Sequence, residues 1–203
     1  MRTWWLTIAL VSALFAPSVN AADTAKAAVA EGKARVLEDK VVQDAAPPKM
    51  VEKLTPGEAR AVDPDGQAPL DDSLTCLART IYWEAKGADA KDMAAVASVV
   101  LNRLGHDGFP DTICDVVKQG QQAKACQFSW WCDGRPDQVE EPQRYSVAKE
   151  IARKALNQQL ADPTGGAMYF HDRRVRPSWA NAYRKTAQTT HFFFYRPANA
   201  LAR

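Results

Sequence analysis

Ser73-Leu74-Thr75-Cys76-Leu77-Ala78-Arg79-Thr80-Ile81-Tyr82-Trp83-Glu84-Ala85-Lys86-Gly87 is the stretch on which the fold turns. Leu74, Leu77, Ala78, Ile81 and Ala85 recur at i, i+3, i+4, i+7 and i+11, the spacing of a helix with one apolar face. Ser73 is suited to cap its start and Gly87 to end it. A second helix is expected from Ala90 to about Leu104, with Met93, Ala97, Val100 and Leu104 on one face and Gly105 as its stop. Phe109-Pro110-Asp111-Thr112 leads into a short helix through Lys118, stopped by Gly120. Pro142 opens a longer one to about Leu160, with Val147, Ile151 and Ala155 beside Ala148 and Ala152 as its buried stripe. Ala167 to His171 and His191 to Tyr195 are short and aromatic-rich and are expected to pair as a small ribbon. The fold class is mainly α (α+β), a helical domain with a minor β element.

Glu84 sits on the edge of the first helix's buried stripe, one i+7 step from Leu77. Aromatic neighbours, partial burial and the negative end of the helix dipole all favour its protonated form. A glutamic acid that keeps its proton near neutral pH is what glycosidic general-acid catalysis needs. The plainer alternative is a glutamate in a salt bridge with Lys86 or Arg79. Gln127-Phe128-Ser129-Trp130-Trp131-Cys132-Asp133-Gly134 is a second dense patch, in which amide, hydroxyl and indole groups suit the edges and faces of sugar rings. It equally suits a stapled core corner, and Asp133-Gly134 reads first as a turn. Tyr169, Trp179 and His191 belong to a strongly aromatic C-terminal part that is chiefly core. The run His171 to Arg176 is basic and reads as a solvated loop able to meet carboxylates.

Upstream, an apolar run from Thr3 to Pro17 follows Arg2 and ends in Val19-Asn20-Ala21, so residues 1–21 read as a Sec-type signal peptide. The run is too short and interrupted for a membrane span, and no other segment is long and apolar enough for one. Export to the periplasm or beyond makes the even cysteine set, Cys76, Cys114, Cys126 and Cys132, read as two disulfides. Three pairings are open. The nearness of Cys126 to Cys132 suggests a local staple, which leaves Cys76 with Cys114. Residues 22–70 hold no Trp, Tyr or Phe and pass through Pro47-Pro48 and Asp63-Pro64-Asp65-Gly66. They read as a disordered linker with a transient helix between Thr24 and Val42, leaving residues 71–203 as the one folded domain.

With 26 basic and 24 acidic side chains the net charge is +2, which gives no electrostatic case for a nucleic-acid partner. There is no CxxC, and His106, His171 and His191 do not stand at metal-ligand intervals, so neither a metal nor another cofactor is expected.

The ordered set Cys76 to Arg103, Phe109-Pro110-Asp111-Thr112-Ile113, Cys126-Gln127-Phe128-Ser129, Cys132-Asp133-Gly134, Asp162-Pro163-Thr164-Gly165-Gly166-Ala167, Tyr169-Phe170-His171, Pro177-Ser178-Trp179-Ala180 and His191-Phe192-Phe193 resembles the SleB-like (spore-cortex-lytic type) cell-wall hydrolase family over residues 74–196. The resemblance implies a lysozyme-like fold that cleaves the glycan backbone of peptidoglycan between N-acetylmuramic acid and N-acetylglucosamine. It implies Glu84 as general acid/base, with a lytic transglycosylase outcome common in the family. Gln127, Phe128, Ser129, Asp133, Tyr169, Trp179 and His191 would line the groove. Two positions depart from the family pattern: Lys86-Gly87-Ala88 replaces the usual Arg-Gly-Glu, and Thr190 stands where a glycine commonly precedes the late histidine. The rival functions are a zinc-dependent N-acetylmuramoyl-L-alanine amidase, drawing on His171, His191 and Glu84, and a non-catalytic peptidoglycan-binding module. No regulatory partner is legible.

Overall fold

The computed structural model describes residues 21–123 and 125–198, so the expected leader, apart from Ala21, lies outside the described residues. Six α-helices, α1 (Ala21–Val42), α2 (Pro56–Ala61), α3 (Ser73–Glu84), α4 (Ala90–Arg103), α5 (Ile113–Lys118) and α6 (Pro142–Leu156), precede or flank three strands, β1 (Tyr169–Asp172), β2 (Arg184–Gln188) and β3 (Phe192–Arg196). The mainly helical class with a small sheet is therefore as the sequence reads. No described helix is long and apolar enough to cross a membrane.

Helix α3 is the centre of the molecule: ten of its twelve residues are buried, and it packs against α1, α4, α5 and α6. Its N-cap is Asp72, whose side chain accepts from the Thr75 N–H, and not Ser73 as expected. The Ser73 hydroxyl instead donates to Glu38, at 2.8 Å. Asp89 and Thr112 cap α4 and α5 in the same way as Asp72, which fixes where each helix starts after its loop. The stripe of α6 is buried as expected at Ala148, Ile151, Ala152 and Ala155, and Tyr145 and Leu156 extend it, while Val147 is 46% exposed. Tyr145, amphipathic and so easily assigned to a surface, belongs to this buried face.

Residues 22–70 are not a disordered linker. Ala30, Ala34 and Leu37 of α1 are fully inaccessible, and Leu54, Ala59 and Val62 extend the same core. Three polar links lock this segment down. Glu38 accepts from Ser73 and from the Ile113 backbone N–H, so that one buried carboxylate holds the first turns of both α3 and α5. Asn157, at the end of α6, pairs with both the N–H and the carbonyl of Leu54, at 2.8 and 2.9 Å. Asp63, inside the Pro/Gly-rich run that suggested a linker, accepts from Arg79, Tyr145 and the Gln67 and Ala68 N–H groups. The segment orders without aromatics because small side chains let α1 approach closely and because its polar groups find buried partners.

The sheet order is β1-β3-β2, antiparallel throughout, with Tyr169 opposite Tyr195 and His171 opposite Phe193. The expected ribbon is the β1–β3 pair. Strand β2, polar and on the edge, carries no apolar alternation and a bulge between Lys185 and Ala187, which is why the sequence did not mark it. Alternation splits the aromatics between two faces. Phe170, Phe192 and Phe194 cluster inward, whereas Tyr169, His171, Phe193 and Tyr195 share the outer face with Trp179 and Tyr183. Disulfides join Cys76 to Cys114 and Cys126 to Cys132.

Candidate active site

Glu84 is the last residue of α3, just ahead of the turn in which Gly87 takes φ +86°. That left-handed position is open to glycine and lets the chain leave the helix within three residues. The glutamate side chain is thereby held between the core and the loop that carries Ser129. Its Oε1 is out of solvent with no hydrogen-bond partner. Burial pushes the carboxyl up to about 7, against the opposing pull of the Arg103 guanidinium and the Ser129 backbone N–H. At neutral pH the group is thus divided between acid and carboxylate, the condition for donating and then recovering a proton. The salt-bridge alternatives do not describe it, since Arg79 is committed to Asp63 and Lys86 to Glu140.

The second element is Arg103, at the end of α4 and only 3% exposed. Its Nε donates to the Met168 carbonyl at 2.6 Å. Its guanidinium lies over three rings, Phe128 at 4.8 Å, Phe109 at 5.4 Å and Tyr169 at 5.5 Å. By residue type alone this arginine carries no sign of a role. A signal was present: Arg103 follows Val99 by four and Val96 by seven, and both are fully buried, so the arginine stands on the core face of its helix.

The other candidate residues fall into three groups. Phe128, Ser129 and Tyr169 gather with Glu84 and Arg103. Phe128 is fully buried beneath the guanidinium, Ser129 turns its N–H to Glu84, and Tyr169 faces Arg103. Trp179 adjoins them through Tyr169 at 5.9 Å and continues to Tyr183, Tyr195 and His171. This makes a half-exposed aromatic face that starts at the Arg103 box and runs across the sheet. Gln127 is exposed at the entry to the loop, its N–H bonded to the Gln119 carbonyl. Asp133 is an exposed turn residue whose carboxylate accepts from the Arg135 N–H at 2.9 Å.

His191 stands apart. Its Nδ1 lies 2.6 Å from the buried Asp92 carboxylate, and Asp92 precedes Arg103 by eleven residues on α4, a rise of roughly 16 Å. None of its ring or side-chain contacts is shared with the Arg103 group. His171 pairs through Nε2 with the Tyr195 hydroxyl, 3.0 Å away. Among the described residues no three His, Cys, Asp or Glu side chains gather as metal ligands. A cavity of about 570 Å³ opens elsewhere, among Lys40, Ser98, Asn102, His106 and Asp162, and contains none of these groups.

The Cys126–Cys132 disulfide brackets the loop that supplies Phe128 and Ser129, while Cys76–Cys114 ties α3 to α5 behind it. The site is therefore assembled from one helix end, one buried arginine, a stapled loop and the first strand.

Comparison with known proteins matches residues 87–195 to the family model described as Cell Wall Hydrolase. The matched stretch contains Arg103, Phe128, Ser129 and Tyr169 and begins just after Glu84. Among curated proteins, the chain is 33% identical over 102 residues to a spore cortex-lytic enzyme of Halalkalibacterium halodurans, covering 49% of this chain and 27% of that one. It is 30% identical over 124 residues to a spore cortex-lytic enzyme of Bacillus subtilis, covering 57% and 36%. The matches thus span about a third of the length of these relatives. Among solved structures, the catalytic domain of the germination-specific lytic transglycosylase SleB from Bacillus anthracis shares the fold, with a TM-score of 0.50 and 24% identity over 66% of this chain and 99% of that one.

Proposed function

Because the chain belongs to the Cell Wall Hydrolase family, we propose that it cleaves the glycan strand of peptidoglycan between N-acetylmuramic acid and N-acetylglucosamine, as a lytic transglycosylase with Glu84 as its general acid and base. The observation that carries this reading is the state of Glu84: a carboxyl with one oxygen buried and unpartnered, pushed up to about 7, at the head of an aromatic-lined site. An acid so placed has its proton available for the glycosidic oxygen. The muramoyl 6-hydroxyl, already tethered next to the anomeric carbon, then attacks in place of water, with an entropic advantage. A two-carboxylate hydrolase needs a partner about 5–9.5 Å from the acid. Asp133, occupied in its own turn, is a poor partner for that work. The half-exposed rings of Tyr169, Trp179 and Tyr183 are suited to stacking on sugars.

The same reading places the protein in the periplasm or outside the cell, where two disulfides such as those seen here persist. Neither metal nor cofactor has a part in it. Digestion of purified sacculi in ¹⁸O-labelled water tests the reading. Muropeptides with 1,6-anhydromuramoyl ends and no label are expected from the wild type, and none from Glu84→Gln. Label in new reducing ends would establish a hydrolase instead, and release of peptides from intact glycan would establish an amidase. Binding to sacculi without any product would establish a binding module.

A further inference from the structure

A guanidinium is costly to bury, and a purely structural one has its N–H groups satisfied. Arg103 does not meet that description. Its Nε is bonded to Met168 and its faces are covered by Phe109, Phe128 and Tyr169, yet Nη1 is buried with no partner. Glu84 Oε1 is likewise buried and unpartnered. The two groups meet at the same loop, since Phe128 carries the guanidinium and the next residue, Ser129, turns its N–H to the carboxyl. A fixed cation set beside a group that becomes an anion during reaction is the geometry of preorganised electrostatic stabilisation.

We propose that Arg103 is a positioning residue that acts through Glu84, held rigid by Met168 and three rings so that its charge stabilises the carboxylate formed when Glu84 gives up its proton. This rests on the reading of Glu84 as the acid. The steps balance. The Glu84 O–H bond breaks as an O–H bond forms on the glycosidic oxygen, and the C1–O bond breaks with its electron pair leaving on that oxygen. The carboxylate then takes the proton of the 6-hydroxyl as the O6–C1 bond forms, which restores the acid. Arg103 stabilises the anionic Glu84 and, in part, the two transition states that flank it, so it lowers both relative to the resting enzyme–substrate complex.

The groups that face Glu84 are few. From α4 comes the Arg103 charge and from the stapled loop the Ser129 N–H, while the Tyr169 phenol of β1 faces Arg103. Lys86, two residues along the chain, is exposed and bound to Glu140. Burial draws the Arg103 guanidinium down to about 10, which still leaves it cationic at neutral pH.

The test is a ¹³C-carboxyl NMR titration of Glu84, its signal assigned by loss in Glu84→Gln, in wild type, Arg103→Met and Arg103→Lys, beside kinetics on sacculi. Arg103→Met is expected to raise the Glu84 midpoint by about one unit or more and to cut turnover by roughly 10²-fold with little change in KM. Arg103→Lys should keep the midpoint near the wild-type value. Should the Met variant fail to fold, Arg103→Gln, which retains a donor for the Met168 carbonyl, serves the same comparison. An unmoved midpoint in a folded, uncharged variant overturns the proposal, whether or not turnover falls. Full activity of Glu84→Gln would instead remove the reading of Glu84 as the acid, while the titration would still report whether the two charges are coupled.

Discussion

Asp63 and Arg79 form an ion pair of 2.9 Å with both side chains at most 2% exposed. The pair is satisfied on every side. Asp63 also accepts from the Tyr145 hydroxyl at 2.6 Å and from two backbone N–H groups, and Arg79 also donates to the carbonyls of Asp137 and Ala68. Trp83, the neighbour of Glu84, donates through its indole N–H to the same Asp137 carbonyl. Four stretches of chain, residues 63–68, 79–83, Asp137 and Tyr145, therefore converge on one buried ion pair whose arginine belongs to the helix that ends at Glu84.

Removing one member of such a pair leaves the other charged and buried. Asp63→Ala and Arg79→Met are each expected to destabilise the fold by about 3–5 kcal/mol, as measured by urea denaturation at pH 7. Hydrogen bonds hold the Asp63 carboxyl below its ordinary 3.8, against the effect of burial. The wild type's advantage over Asp63→Asn should accordingly be complete above about pH 4 and shrink as pH falls further. A loss below about 1 kcal/mol at pH 7 would show that the pair is not a keystone.

Glu84 carries the opposite sign. Its folded-state value of about 7 lies above the ordinary 4.5, so its ionisation opposes folding. That cost is absent below about pH 4.5, grows with pH and is complete above about pH 7, where it reaches at most about 3 kcal/mol. Glu84→Gln should therefore have the same melting temperature as wild type at pH 4 and a higher one at pH 8. Equal melting temperatures at both values would mean that the carboxyl is well solvated.

Helix α1 is a working part of the core. Leu37→Ala should cost about 2–5 kcal/mol from the lost burial and the cavity left behind. Glu38→Ala should cost about 1–3 kcal/mol, because it leaves the Ser73 hydroxyl and the Ile113 N–H unsatisfied. Deleting residues 22–70 should abolish cooperative unfolding. A stable, cooperatively melting fragment would return that segment to the status of a linker.

The two disulfides should separate stability from activity. Cys76–Cys114 closes a separation of 38 residues and Cys126–Cys132 one of only 6. On chain-entropy grounds their loss costs about 4 and about 2 kcal/mol. Replacing Cys126 and Cys132 with Ala should nonetheless reduce turnover more than replacing the other pair, because it frees the loop that presents Phe128 and Ser129. Thermal melts and muropeptide release, measured on both double variants, decide the order.

Helices α3, α4 and α5 were legible because their apolar spacing and their stops are written locally, and β1 and β3 because their aromatics are dense. Around the acid, Phe128, Ser129 and Tyr169 were legible from residue type and motif. What escaped depends on partners far away in sequence. Nothing near Asp63 announces Arg79 or Tyr145, and nothing in the Ala-rich run of α1 announces that Ala30 and Ala34 will be fully inaccessible. The placement of His191 beside Asp92 is of the same kind, since a histidine's partner is set by the register of β3 against α4 and not by its own neighbours. Arg103 is hidden in the sequence because a charged residue at a helix end ordinarily reads as a solvated cap.

The stretch matched to the family model starts at Gly87, yet Glu84, proposed above as the proton donor, the buried Asp63–Arg79 pair and the Glu38 clamp all lie upstream of that point. Residues 87–195, transplanted as a unit, would carry Arg103 without Glu84, and α5 without either its Glu38 anchor or the α3 against which it packs. The unit that can be exchanged between proteins is thus larger than the unit that similarity picks out, and a chimera meant to retain chemistry has to be cut ahead of α1.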